Sequence, residues 1–525
     1  MGFNVMAAAR VACKWVILPA VVAGVGASVA GSVGACVLIR RMYKAIRVVP
    51  GSSHNGTDAS TGVDNALFRA LPVLRSKIAW LPLASIAASP VDILSYVDPE
   101  TELPVTGVQL KREDLLSPRY GGNKVRTLEF QLACAKEQMA GRTLVALGGP
   151  GSNQIVATGV FASLNGVPFR ALPIAPEAGS VDNALNLMSM VSLPGWHSPT
   201  WVLGALEQLA TVTRVVMSPK YLMQMPGGNN VTGTLGHVGA VLELCEQLAA
   251  GNSAAEAAVD GGAGAPAAAA GTGQCALPRQ PEHIFLALGS NCTVSGLLAG
   301  IALARKLGLG FAAPVTVHGV PIHHDAERWP SMLRWAVRKV ATDTLRTIAE
   351  LGGPDARPQL HALLQGNGKG TGKRTGAGRG KGKSGGGGEG EGEEASEGLQ
   401  LHCGYGVAYG GWTGPALAAK LVLDGGSVRR GGQDVGKPWL CSTFTSKAFA
   451  ALMDFLRENP HVDPACTMAW CTKSTAQPLG DAKGWENIAQ LPRGAREWLK
   501  TAHLASQSDY ERLEARCCTL SLKGI

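Results

Sequence analysis

From residue 15 to residue 39 the chain reads WVILPAVVAGVGASVAGSVGACVLI, 25 residues without a charge. That is long enough to cross a hydrocarbon core needing about 20 helical residues. Arg10 and Lys14 precede it, Arg40, Arg41, Lys44 and Arg47 follow it, and no acidic residue occurs before Asp58. The pattern predicts an N-terminal apolar helix acting as a membrane anchor over residues 15–39, with the body on the cytoplasmic or matrix side. The alternative is a cleaved mitochondrial targeting segment, which is also basic and acid-poor. Further on the rhythm changes to short apolar runs ending in glycine, each followed by helical periodicity. TLVALGG (143–149) leads into a helical pattern through Val156 and Leu164 and then VPFRALPI; HIFLALGS (283–290) leads into SGLLAGIALARKLG and APVTVHGV. Such alternation predicts parallel βαβ units with both sheet faces covered, an α/β fold. Ligands in these folds bind at the carboxyl ends of the strands.

Two tracts break the rhythm. Residues 249–279 are built largely from Ala and Gly, and residues 366–398 hold 15 glycines in 33 positions, with a basic half followed by an acidic half. Neither carries an apolar pattern that could pack, so both are expected as solvated inserts. Setting them aside, the expected organisation is a targeting or anchor segment at 1–57, a large lobe from 75–144 plus 280–500, and a small lobe at 145–245. A chain of 525 residues is long enough for two such lobes, and 46% hydrophobic residues supply their cores.

Charge adds little. The net charge of +9 includes six basic residues of the first 57 and others in the Gly-rich tract. No zinc finger or RNA-binding motif accompanies them, which argues against a nucleic-acid partner. The 12 cysteines are scattered without a C-x-x-C pair, so they read as core thiols in a reducing compartment rather than a disulfide framework.

The candidate chemistry starts after KRED at Lys111. YGGNKVRTLEF places Lys124 at a helix start, where the dipole disfavours an ammonium and lowers the amine pKa. Such an amine suits covalent carriage of a carbonyl compound, although a lysine on a first helical turn can equally be a plain solvated residue. GGPGSNQ (148–154) sets Ser152, Asn153 and Gln154 at a strand-to-helix turn able to hold a carboxylate. LGSNCTVSGL (288–297) is a Gly/Ser/Thr turn at a helix N-terminus, suited to a phosphate monoester. No G-x-x-x-x-G-K-[ST] occurs and no G-x-G-x-x-G follows a strand-like run, which argues against nucleoside triphosphates and dinucleotides. A carbonyl-reactive lysine, a carboxylate cradle and a phosphate cup together describe a pyridoxal 5'-phosphate enzyme acting on an amino acid.

At these residues the chain resembles the D-cysteine desulfhydrase and 1-aminocyclopropane-1-carboxylate (ACC) deaminase family, within the tryptophan-synthase-β-like pyridoxal phosphate enzymes. The family's G-G-N-K-x-R-x-L-E is matched by GGNKVRTLE, its G-G-x-x-S-N-[HQ] by GGPGSNQ, and its P-G-G-x-x-x-x-G-x-x-G by PGGNNVTGTLG (226–236). G-S-G-G-T-x-x-G-L is matched by GSNCTVSGL, G-Y-G-V by residues 404–407, and Y-[TE]-[GS]-K-A by FTSKA (444–448). The matches keep the family order over about residues 80–475.

The resemblance implies a two-lobed fold with pyridoxal phosphate in the cleft, a small amino acid as substrate, and a homodimer. It implies catalytic roles for Lys124, which carries the cofactor and moves the α-proton, for Ser152 and for Tyr405. Cofactor contacts would come from Lys124, Asn153, Gly289, Ser290, Asn291, Cys292, Thr293, Thr445 and Thr472. Substrate contacts would come from Ser152, Asn153, Gln154, Tyr405 and Phe444. No metal is implied.

Several residues depart from the family. Phe444 lacks the hydroxyl of the family's second tyrosine, Thr445 stands where ACC deaminases have Glu, and Thr127 stands where they place a lysine. Asn291 and Cys292 replace two glycines of the cup, and WCTKSTA around Thr472 differs from the family's H-T-G-G. Phe444 and Thr445 argue for β-elimination from D-cysteine, whereas Gln154, in an S-N-Q typical of ACC deaminases, argues for ring opening of ACC. A reading from another class is a membrane-tethered scaffold that keeps the fold without the activity.

Overall fold

The computed structural model describes residues 37–51, 64–149, 151–173, 181–191, 205–260, 278–323, 327–353, 398–407, 411 and 413–476. In chain order the elements are α1 (Ala66–Ala70), β1 (Val91–Val97), β2 (Pro104–Lys111), α2 (Lys124–Gln138), β3 (Thr143–Gly148), α3 (Asn153–Leu164) and β4 (Phe169–Pro173). They continue with α4 (Val181–Val191), α5 (Ala205–Met217), β5 (Tyr221–Gln224), α6 (Val231–Asp260), β6 (His283–Leu288), α7 (Cys292–Leu307) and β7 (Thr316–Pro321). The last are α8 (Pro330–Gly352), β8 (Leu399–Leu401), α9 (Gly414–Gly425), β9 (Ser427–Arg430), β10 (Gln433–Asp434), α10 (Thr445–Glu458) and β11 (Thr467–Trp470).

Two sheets result. The larger has the order β10-β9-β1-β2-β11-β6-β7-β8 and the smaller β4-β3-β5. The small sheet is parallel, as is the run β2-β11-β6-β7-β8 of the large one, while β1, β9 and β10 pair antiparallel at its edge. The fold is therefore α/β with one mixed and one parallel sheet. Strand β6 explains why its apolar run lacks alternation: Ile284, Leu286 and Leu288 pack with α6, α7 and α8, whereas Phe285 packs with α9 and α10 on the opposite face. A strand covered on both sides is apolar at every position.

Helix α2 is the spine between the sheets. Every residue from Val125 to Ala135 is buried, with Leu128 and Leu132 in the cluster over the small sheet and Phe130 in the cluster over the large one. Helix α6 packs with the large-sheet cluster through Leu235, Val238 and Leu242, so 231–245 lies with the larger body.

The KRED motif is a buried electrostatic joint. Lys111 Nζ lies 2.8 Å from Glu243, Arg126 pairs with both Glu113 and Glu243, and Arg112 pairs with Asp92 and Asp114. Opposed charges this deep are tolerated because each has several partners, and the cluster ties the end of β2 to α2 and α6.

Two expected segments meet the described residues only at one end. No helix among the described residues is long and apolar enough to cross a membrane. Most of the 15–39 stretch lies outside the described residues, but its end does not: Leu38 and Ile39, on a short helix over 37–43, are buried with Met42 against Val145, Leu147, Leu172 and Val212 of the small-sheet body. Those side chains are core rather than lipid-facing. In the Ala-rich tract, α6 continues to Asp260. Alanine has the highest intrinsic helix propensity, so the helix runs on without an apolar face to direct it. The remainder of that tract from 261 to 277 and the Gly-rich tract up to residue 397 lie outside the described residues.

Candidate active site

The carboxyl ends of β2, β3, β6 and β11 deliver the four motif-bearing loops to one region. After β2 the chain reaches Asn123, whose backbone N–H donates to Thr472 O at 3.1 Å. Gly121 N donates to Ser474 Oγ at 2.8 Å. Gly122, at φ +86, leaves no room for a Cβ, which would fall 2.5 Å from Thr472 O. The loop after β11 is thus fitted against the turn that launches Lys124. Asn123 precedes α2 but its side chain makes no cap; instead Nδ2 donates to Thr293 Oγ1 at 2.8 Å, reaching the turn after β6.

Lys124 Nζ donates to Gly227 O at 3.2 Å, and Ser290 Oγ donates to the same oxygen at 3.3 Å. Burial holds the Lys124 amine below the ordinary lysine pKa, opposed in part by Cys292. A desolvated amine of this kind is a better nucleophile near neutrality. Gly227 is at φ +62, and a Cβ there would fall 2.0 Å from the Ser290 Cβ. Only glycine brings the PGG turn this close to the cup.

The cup itself is Gly289–Thr293 at the N-terminus of α7. Asn291 adopts φ 71, the left-handed region that asparagine tolerates better than other non-glycine residues. The departure from glycine therefore keeps the backbone conformation. Its buried Oδ1 has no hydrogen-bond partner among the described residues. Cys292 is buried and its Sγ donates to Gly228 O at 3.3 Å, a packed thiol raised to about 11 by burial. Phe444 packs against the cup, its Cε1 3.1 Å from where a Gly289 Cβ would lie.

Beneath the cup lies His237. Its Nε2 is 3.0 Å from Thr127 Oγ1 and 3.5 Å from Thr293 Oγ1. Burial, then the charges of Lys124 and Arg126, push its pKa well below the usual value, so it is neutral. It follows directly after PGGNNVTGTLG, and its place on the helix behind that turn was the available sequence signal.

At the N-terminus of α3, Ser152 is buried and in the N-cap position, but its hydroxyl makes no capping bond. Asn153 Oδ1 accepts from Tyr120 OH at 2.9 Å, Asn186 Nδ2 at 2.6 Å and Lys473 Nζ at 3.1 Å. Tyr120 sits immediately before GGNK and Lys473 immediately after Thr472; Asn186 carried no sequence signal.

Other expected site residues have their side chains engaged locally, although Gln154 Oε1 lies 3.4 Å from where a Gly228 Cβ would be. Gln154 turns inward, its Nε2 donating to Thr158 Oγ1 at 3.0 Å, where a buried chain of Thr158, Gln224 and Gln131 leads to Gly228 O. Thr445 Oγ1 is taken up by its own loop, accepting from Cys441 N at 2.8 Å and donating to Trp439 O at 3.1 Å. Tyr405 donates its hydroxyl to Asp454 of α10, and its ring packs in the cluster between the large sheet and α9–α10. The structure brings Lys124, Ser290, Cys292 and Thr293 together and leaves the Tyr405 hydroxyl outside that set.

The residues present fit pyridoxal phosphate. A half-buried, desolvated lysine shares one carbonyl with a glycine-lined helix N-terminus, and an unpaired buried amide oxygen marks that cup. This fold and site define a pyridoxal phosphate-dependent enzyme. Among curated proteins the chain is 30% identical over 259 residues to the D-cysteine desulfhydrase of Serratia proteamaculans (strain 568), covering 46% of this chain and 76% of that relative. It is 31% identical over 188 residues to the D-cysteine desulfhydrase of Yersinia enterocolitica, covering 34% of this chain and 54%, about half, of that relative. The chain belongs to the D-cysteine desulfhydrase family. No protein-family model matches it. Among solved structures, an ACC deaminase homologue aligns with a TM-score of 0.46 at 18% identity, covering 81% of this chain and 99% of that one.

Proposed function

We propose that the protein is a lyase that takes D-cysteine to pyruvate, ammonia and hydrogen sulfide, removing the α-proton and expelling the β-thiol, with water completing the balance. The observation that carries this reading is the shared Gly227 carbonyl, which holds the Lys124 amine beside the Ser290 hydroxyl of the anion cup. Pyridoxal phosphate, when bound, supplies an electron sink for the pair left at Cα.

The chain's own residues do the rest. Lys124 Nζ, kept below its ordinary pKa by burial, would hold the cofactor and move the proton at Cα. The backbone N–H groups at the start of α7 and the hydroxyls of Ser290 and Thr293 would hold the phosphate, an arrangement favoured by the helix dipole. Ser152, uncommitted at the start of α3, binds the substrate carboxylate. Phe444 lines the cup with an apolar ring and excludes water.

Ring opening of ACC is the second reading, and S-N-Q was its support. Here Gln154 is directed at Thr158, Phe444 has no hydroxyl, and the Tyr405 hydroxyl is held by Asp454. These positions favour β-elimination. The test is to incubate the purified full-length chain with pyridoxal phosphate and assay sulfide and keto-acid release from D-cysteine and from ACC. Pyruvate and sulfide in equal amounts from D-cysteine, lost in Lys124→Ala, are expected. Turnover of ACC alone, or an active Lys124→Ala protein, overturns the reading.

A further inference from the structure

The loop after β11 carries a buried lysine that the proposed chemistry leaves unused. Lys473 is 2% exposed. Its Nζ reaches Asn186 Oδ1 at 2.9 Å, Asn153 Oδ1 at 3.1 Å and Tyr120 OH at 3.4 Å. It also lies over the rings of Tyr120 and Trp439, 5.5 and 5.4 Å from their centroids, where cation–π attraction lowers the cost of burying the charge. Asp182, within its electrostatic reach, is itself held by Ser442 N and Oγ at 2.7 and 2.6 Å.

The consequence falls on Asn153. A carboxamide has one acceptor atom and one donor atom. Three donors converge on the Asn153 oxygen, from Tyr120, Asn186 and Lys473, and one of them is cationic. Turning the amide over would set its NH2 against the Lys473 ammonium, so the orientation is fixed. Its Nδ2 has no acceptor among the described residues, and it stands at the start of α3, where the dipole favours an anion.

We propose that Lys473 is a positioning residue that locks Asn153 as an obligatory donor, selecting a bound group that offers an anionic oxygen. Resting on the pyridoxal phosphate reading above, the oxygen is the cofactor's ring oxygen; the substrate carboxylate is the other source of the same chemistry.

Equilibrium dialysis of the cofactor-free full-length chain separates these outcomes, with pyridoxal phosphate and its 3-deoxy analogue, which lacks the ring oxygen, as probes. Lys473→Met is expected to weaken pyridoxal phosphate binding about tenfold, the order of one charge-assisted hydrogen bond, and to leave binding of the 3-deoxy analogue unchanged. Asn153→Ala should show the same selectivity, and the double variant should bind no more weakly than Asn153→Ala. If Lys473→Met fails to fold, Lys473→Gln, neutral but still donating, carries the same comparison with a smaller loss. Equal weakening for both probes would show a merely structural lysine and overturn the proposal. Unchanged binding of both probes, with weaker D-alanine binding to the loaded protein, would assign the donor to the substrate carboxylate and also overturn it. A wild-type chain that binds neither probe sinks the parent reading with it, whereas normal wild-type binding with unselective variants sinks this proposal alone.

Discussion

Lys124 and Ser290, 166 positions apart in the chain, donate to the same oxygen, the carbonyl of Gly227, at 3.2 and 3.3 Å. One backbone atom thereby couples the amine at the start of α2 to the cup at the start of α7. The coupling depends on a turn with no side chain.

Gly227→Ala should break it. The new methyl would lie 2.0 Å from the Ser290 Cβ, on a backbone at φ +62 that alanine resists. Strain of roughly 1–3 kcal/mol at the cup predicts about a 5- to 150-fold loss of pyridoxal phosphate affinity. Equilibrium dialysis measures it, and near-normal affinity would show that the turn can retreat.

The buried Lys124 amine makes the stability of the cofactor-free protein depend on pH. Its folded pKa lies below 10.5, so between that lowered value and 10.5 the unfolded chain binds more protons. Stability therefore rises with pH through that window. Lys124→Met should be more stable than wild type at pH 7, and the difference should shrink as the pH approaches 10.5. Urea melts across pH 7–10 provide the check, a constant difference being the contrary result.

His237 acts on the acid side. Its folded pKa is well below 6.5, so on acidification below 6.5 the unfolded chain takes up the proton first and stability falls. His283, His318 and His402 are also lowered, so the readout is a difference between variants: His237→Gln should lose stability less steeply than wild type below pH 6.5. At pH 7.5 the same variant should weaken cofactor binding by roughly two- to tenfold, through lost bonds to Thr127 and Thr293.

Gln131 joins the two sheets' bodies through buried polar contacts, its Nε2 donating to Gly228 O and Asn230 Oδ1 and its Oε1 accepting from Gln224. Gln131→Leu would leave these groups unpaired. A loss of about 1–3 kcal/mol is expected, seen as a lower urea midpoint, with weaker cofactor binding because Gly228 adjoins the shared carbonyl.

Asn291 gives the opposite sign. Replacing it with glycine relieves the cost of φ 71 and should be neutral or stabilising by up to about 1 kcal/mol. Asn291→Val should destabilise, because a β-branched residue resists that region. Thermal melts of the two variants suffice.

The strands ending at Gly148 and Leu288, their following helices and the alternation of α and β were legible in the chain because each rests on local periodicity and a glycine at a strand end. Lys124, Ser152 and the 289–293 cup were legible for the same reason, being short segments that carry their own turn. The end of the apolar stretch was not: Leu38 and Ile39 suit lipid or core equally by composition, and only their packing on Val145 and Val212 decides between them. Gln154, Thr445 and Tyr405 show the same limit. Their side chains can turn either way from a given backbone, and the partner that captures them, Thr158, Trp439 O or Asp454, comes from position in space. Lys473 and His237 each adjoin a motif in the chain, yet their burial and the side chains that surround them are properties of the assembled fold.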